Sequence, residues 1–334
     1  MIEYLVSIAT VGVLYSLIAL ALNVRWGWAG ELDLAIFAFV AIGAYTDAVI
    51  TLPPSQLPPP DGYILGLNLP WPVGVLGAMV VSGVLAAMVG AVALRKLRGD
   101  YFAITTVATA FIIAAVISQD TPLFNGFNGV YGLSEPFNSV LHLGGNAYPI
   151  FYLGLCVVAL VIVYLVLERL RTSPFGRTLR AIRENETAAA AFARNVYVEK
   201  LKAYVIGGVV AGLAGSLLAH FLSAFNPASW QPEETFLLYA AIFVGGSGNT
   251  RGVIIGAFFI FVAIQEVTRF LPPIPNHPDA ASAVRAILIG SLIIVVLRWR
   301  PRGLVPEPRP RDIPASPSNT TTPTIPRRLA RGRR

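Results

Sequence analysis

The chain has 334 residues, 55% of them hydrophobic and only 13% charged, against roughly 25% charged in soluble domains. That balance excludes a water-soluble globular protein, and the single cysteine, Cys156, excludes a disulfide framework or a thiolate metal site. The formal net charge of +7 does not point to nucleic acid, because the basic residues gather beside apolar runs and in the tail, as membrane topology requires.

A helix crosses about 30 Å of hydrocarbon with about 20 residues, since each adds about 1.5 Å. By that measure the chain reads as an all-α integral membrane protein with spans near 3–23, 32–51, 73–94, 102–118, 148–167, 201–223, 235–248, 252–268 and 283–297. The first has neither a charged leader nor a small-residue cleavage site and reads as a retained span. Connections flanked by Arg95, Lys96 and Arg98, by the arginines and lysines between 169 and 202, and by Arg298, Arg300 and Arg302 should face the cytoplasm. Connections 52–72, 119–147 and 224–234 carry no lysine or arginine and should face outward. About nine crossings satisfy every loop, with the N-terminus outside and the C-terminus inside.

Two segments depart from plain spans. The stretch 235–248 is short and runs into Gly245-Gly246-Ser247-Gly248. A tight turn is favoured there over a broken helix, because Arg251 would cost about 2.5–3.5 kcal/mol at the bilayer centre. The segment from about 168 to 200 contains an amphipathic helix. Ser173 is its expected N-cap and Pro174 its first helical residue. Phe175, Leu179, Ile182, Ala189 and Phe192 fall near one face, and Arg177, Arg180, Arg183, Glu184 and Glu186 populate the rest. A helix resting on anionic lipid would favour arginines. Mixed glutamates and an alanine-rich centre suit a protein partner better.

Three histidines, His142, His220 and His277, show no ligand spacing, so no metal is expected. The glycines at 43, 207, 208, 212, 215, 252 and 256 read as helix-packing positions, and the five tryptophans as an aromatic belt. Residues 1–303 form the expected membrane-embedded domain, and 304–334, rich in proline, serine, threonine and arginine, a disordered basic tail able to touch anionic lipid.

The run 173–195, followed by Lys200-Leu201-Lys202-Ala203-Tyr204 and Ala211-Gly212-Leu213-Ala214-Gly215, resembles the LivM-like permeases of branched-chain amino acid ABC transporters. Gly27-Trp28-Ala29-Gly30-Glu31-Leu32, Arg98-Gly99-Asp100-Tyr101-Phe102 and Asn128-Gly129-Val130-Tyr131-Gly132-Leu133 extend the resemblance over nearly all of 1–302. It implies that Gly176, Arg177, Arg180, Ala181, Arg183, Glu184, Asn185 and Glu186 belong to a coupling helix that docks into a cytoplasmic ATPase. It also implies a LivH-like second permease, two ATP-binding subunits and an extracytoplasmic substrate-binding protein in the plasma membrane. The chain has no G-x-x-x-x-G-K-[ST] phosphate loop, so ATP would bind elsewhere and no cofactor is expected here.

The sequence departs from that family after Leu32, where it reads Asp33-Leu34-Ala35-Ile36-Phe37. Asp33, Phe39, Tyr45 and Asp47 are the candidate lining of the substrate path, and interfacial placement at the two ends of one helix is the simpler account of both carboxylates. Branched-chain amino acids are the expected substrates; urea, an amide or another amino acid is the alternative. An ion-driven secondary transporter would show paired ionisable groups in the membrane, and none is evident in the sequence.

Overall fold

The computed structural model describes residues 2–54, 66–97, 99–144, 147–192, 195–230, 234–269, isolated positions between 284 and 299, and 303–307. The described part is helical apart from a two-residue β pairing. In chain order the helices are α1 (Ile2–Asn23), α2 (Ile36–Thr51), α3 (Trp71–Lys96), α4 (Asp100–Gln119), α5 (Thr121–Phe124), α6 (Asn138–Leu141), α7 (Ala147–Thr172), α8 (Pro174–Glu184), α9 (Glu186–Ala191), α10 (Val196–Leu222), α11 (Glu234–Gly245) and α12 (Thr250–Arg269). A π-helical turn, Val24–Trp28, extends α1. Strand β1 (Val130–Tyr131) pairs antiparallel with β2 (Ala224–Phe225).

Among the described residues five helices are long and apolar enough to cross a bilayer: Ile2–Trp28, Trp71–Arg95, Asp100–Gln119, Ala147–Thr172 and Val196–Leu222. α2, with 16 residues, and α11, with 12, are shorter. At about 1.5 Å per residue α11 reaches only about 18 Å. Most of the expected span 283–297 and all of the tail beyond 307 lie outside the described residues.

The bundle is centred on α10, which packs on α2 and α3 while α1 packs on α12, α7 and α10. Small residues make this possible. A Cβ on Gly43 would strike the backbone of Gly212, one on Gly212 would strike Ala78, and one on Gly215 would strike Val40. Ser82 Oγ fastens the three central helices by donating to Gly208 O at 2.8 Å and to Phe39 O at 3.1 Å. The expected packing role of these glycines is what the helices use. Large apolar side chains such as Leu76, Val84 and Met88 on α3, Ile104 and Ile112 on α4, and Val158, Ile162 and Leu165 on α7 point outward. Such a surface is tolerable only in lipid or against another membrane chain.

The charged connections collect at one end. There Arg183 meets the π-helical turn, Lys200 meets Glu31 and Thr250 meets Glu168. The opposite end carries the strand pair and the connections that sequence assigned outward. Two tryptophans break the expected belt, since Trp28 and Trp230 are buried inside the bundle.

The expected span 32–51 is helical only from Ile36, because 29–35 is irregular backbone, buried at Ala29, Glu31, Asp33 and Ala35. Irregular backbone survives at membrane depth only when protein satisfies its polar groups. Here the accounting can be followed bond by bond. Gly30 N–H donates to Trp26 O and Glu31 N–H to Arg25 O. Asp33 N–H donates to the Tyr239 hydroxyl at 2.9 Å, which returns a bond to Asp33 O at 3.0 Å. Leu34 N–H donates to Thr106 Oγ1 at 3.0 Å, and Leu34 O accepts from Thr235 Oγ1 at 3.4 Å. α11 and α4 therefore supply the partners that the broken helix lacks.

Candidate functional site

The amphipathic segment is two helices, not one. Asn185 has extended backbone (φ −156°, ψ 98°), which stops α8, and its side chain then caps α9 by accepting from Ala188 N at 2.9 Å. Ser173 occupies the N-cap position of α8 but donates to Leu170 O at 2.6 Å and caps nothing. Leu179, Ile182 and Ala189 face the bundle as expected, and Gly176 is buried with them. A Cβ on Gly176 would collide with the backbone of Arg171, so only glycine allows α8 to fold back so tightly on α7. Phe192 departs from the expected apolar face: α9 ends at Ala191, and the ring is 83% exposed.

The eight coupling candidates divide by direction. Arg177, Ala181, Glu184 and Asn185 point outward, beside exposed Ala188, Ala190, Ala191 and Phe192. The others hold the segment to its own chain. Arg180 and Arg183 pair with Glu307 at 2.5 and 2.6 Å, and Arg183 also donates to Gly27 O. Glu186 shares Lys200 with Glu31, at 3.0 and 2.6 Å.

The four path candidates fall into two clusters along α2. Asp33 is fully buried and ion-paired with Arg25, and its Oδ1 accepts from Ala35 N at 3.0 Å and from the Tyr204 hydroxyl at 3.3 Å. The Arg25 guanidinium lies between the rings of Phe39 and Tyr204, with its central carbon 4.3 and 4.0 Å from their centroids. Gly207 and Gly208 leave the room it fills. Asp33 thus does not snorkel to water; its carboxylate neutralises an arginine that lipid could not solvate.

Tyr45 is buried against Phe124 and Phe225, at centroid distances of 5.4 and 5.0 Å. Asp47 is also fully buried, with Oδ2 2.6 Å from His220 Nε2. The other ring nitrogen of His220 lies 2.9 Å from Ser134 O. His220 thus sits between a carboxylate and a backbone carbonyl. Interfacial snorkelling fails for Asp47 as well. His220, given no role by the sequence, is its partner. The available signal was that Asp47 and His220 each close an apolar run at the same uncharged end. Trp71 stacks edge-on to His220 and lines a cleft of about 750 Å³ with Thr51, Asn68, Glu135, Phe137 and Asn138.

A helical bundle with an outward apolar surface, buried charges paired in its interior and a charged helix pair at one end defines a multi-pass membrane protein. The chain belongs to the family described as branched-chain amino acid transport system / permease component, whose model matches residues 4–297. It is 30% identical over 326 residues to the high-affinity branched-chain amino acid transport system permease protein LivM of Salmonella typhimurium, covering 92% of this chain and 71% of that protein. It is 29% identical to the Escherichia coli LivM, with the same coverage. It is also 28% identical to a probable LivM of Methanocaldococcus jannaschii, covering 88% of this chain and 91% of that one. No solved structure matches.

Proposed function

We propose that the chain is the membrane-spanning permease subunit of an ABC importer for branched-chain amino acids in the plasma membrane. Separate subunits would bind and hydrolyse ATP, a LivH-like chain would complete the pathway, and an extracytoplasmic binding protein would deliver substrate. The family match over 4–297 carries this reading. Similarity to LivH of Escherichia coli, 24% identical over 310 residues, supports pairing between two permeases of related sequence. The orientation is N-out and C-in with nine crossings, supported by the gathering of basic connections at one end.

The docking surface for the ATPase is the outward side of α8 and α9, where Arg177, Ala181, Glu184 and Asn185 adjoin Phe192. Gly176, Arg180, Arg183 and Glu186 serve coupling from the other side, by fixing those helices to the bundle. Asp33 and Phe39 act on the path by holding Arg25, and Tyr45 and Asp47 lie below the outer cleft, where substrate would be received. Co-purification of the ATPase subunits with the chain tests the reading. Reversing the charges of Arg177 and Glu184 should abolish capture, and undiminished capture would sink the docking assignment.

A further inference from the structure

Residues 303–307 form a strap across the charged end. Gly303, at φ 73°, turns the chain against Gly246. Leu304 N–H then donates to Val244 O at 2.8 Å and Val305 N–H to Gly245 O at 3.0 Å. Asn249 Nδ2 donates to Pro306 O at 3.0 Å and to Val305 O at 3.3 Å. These bonds seat the strap on the last turn of α11 and on the turn into α12.

From that seat Glu307 reaches α8. Its two carboxylate oxygens take separate arginines, Arg180 at 2.5 Å and Arg183 at 2.6 Å. The carboxylate and both arginines are about three-quarters buried or more, so water competes weakly for these bonds. Arg183 donates onward to Gly27 O, and Gly248 N–H donates to Asn23 Oδ1 at 3.0 Å. One side chain therefore closes a ring of contacts through α8, the π-helical turn of α1 and the α11–α12 turn.

We infer that Glu307 is a positioning residue that transmits displacement of α8 to the α11–α12 turn. The inference rests on α8 being the helix moved by the ATPase. A docked helix can shift the bundle only through bonds it makes inward, and Glu307 supplies a link from α8 to the α11–α12 turn, while α11 carries the hydroxyls that bond Asp33 and the Leu34 carbonyl.

The test uses the assembled transporter with a reporter cysteine, Ser247→Cys, in the α11–α12 turn. Its labelling rate is measured with and without ATP. Unmodified elsewhere, the reporter should change its rate on ATP binding. Glu307→Gln, which keeps the shape and removes the charge, should reduce that change on the order of tenfold while the ATPase still co-purifies. Asn249→Asp loosens the strap at Val305 and Pro306, because it loses the amide donor but keeps the oxygen that accepts from Arg251 N. It should reproduce the effect even if the first variant assembles poorly. An unaltered ATP response in both variants, or none in the parent, overturns the inference and leaves the importer reading standing. A parent chain that captures no ATPase overturns both.

Discussion

Arg25 and Asp33 are eight positions apart and both fully buried, yet a lone charge in that environment would cost several kcal/mol. Burial is affordable only as a pair, supplemented by two aromatic faces and the hydroxyl of Tyr204. Asp33→Asn should therefore destabilise the protein by about 3–5 kcal/mol, because it strands the guanidinium. Thermal unfolding in detergent measures this. Replacing both residues, Arg25→Met with Asp33→Leu, should recover most of the loss, and a double replacement as unstable as the single one would contradict the account. At this scale the sequence was only partly legible. It marked Asp33 and Asp47 as unusual residues in apolar runs, but their partners sit on other turns and helices. Asp47 meets His220 through the packing of α2 on α10, and no spacing rule within the chain encodes that meeting.

Helix contacts were more readable, because a glycine among bulky apolar residues in a span has few uses besides close approach. Gly212 faces the carbonyl of Ala78 and the side chain of Ser82 where α10 meets α3. Gly212→Val should push those helices apart at a cost of about 1–3 kcal/mol, read as a lower unfolding temperature, and no change would show that the contact yields freely. The amphipathic segment was legible as a segment and misjudged in detail. Helical spacing carried the apolar face from Phe175 through to Phe192, but the extended backbone of Asn185 interrupts the period and leaves Phe192 exposed. Phe192→Asp should consequently change stability by no more than about 0.5 kcal/mol while reducing ATPase capture. Intact capture would remove Phe192 from the docking face.

Across the whole molecule, the uneven distribution of basic residues becomes a difference between two ends. α8, α9 and the 303–307 strap share one end, and the cleft beside Trp71 and Asn138 occupies the other. Single cysteines at Glu184 and at Asn138 should accordingly react with an impermeant reagent from opposite sides of the membrane, Glu184→Cys only from the cytoplasm. The native Cys156 is buried and should stay silent. Labelling of both positions from one side would contradict their placement at opposite ends, and labelling of Glu184→Cys only from outside would invert the topology. The sequence alone settled the solvent, the helical class, the separation of charged from uncharged connections and the amphipathic character of 173–192, because hydropathy and charge act locally and are summed along the chain. Only the tertiary structure decided that 29–35 is unwound, that two carboxylates are spent on Arg25 and His220, and that Glu307 returns to clasp α8. Those outcomes depend on which distant groups arrive within hydrogen-bonding distance once the helices have packed.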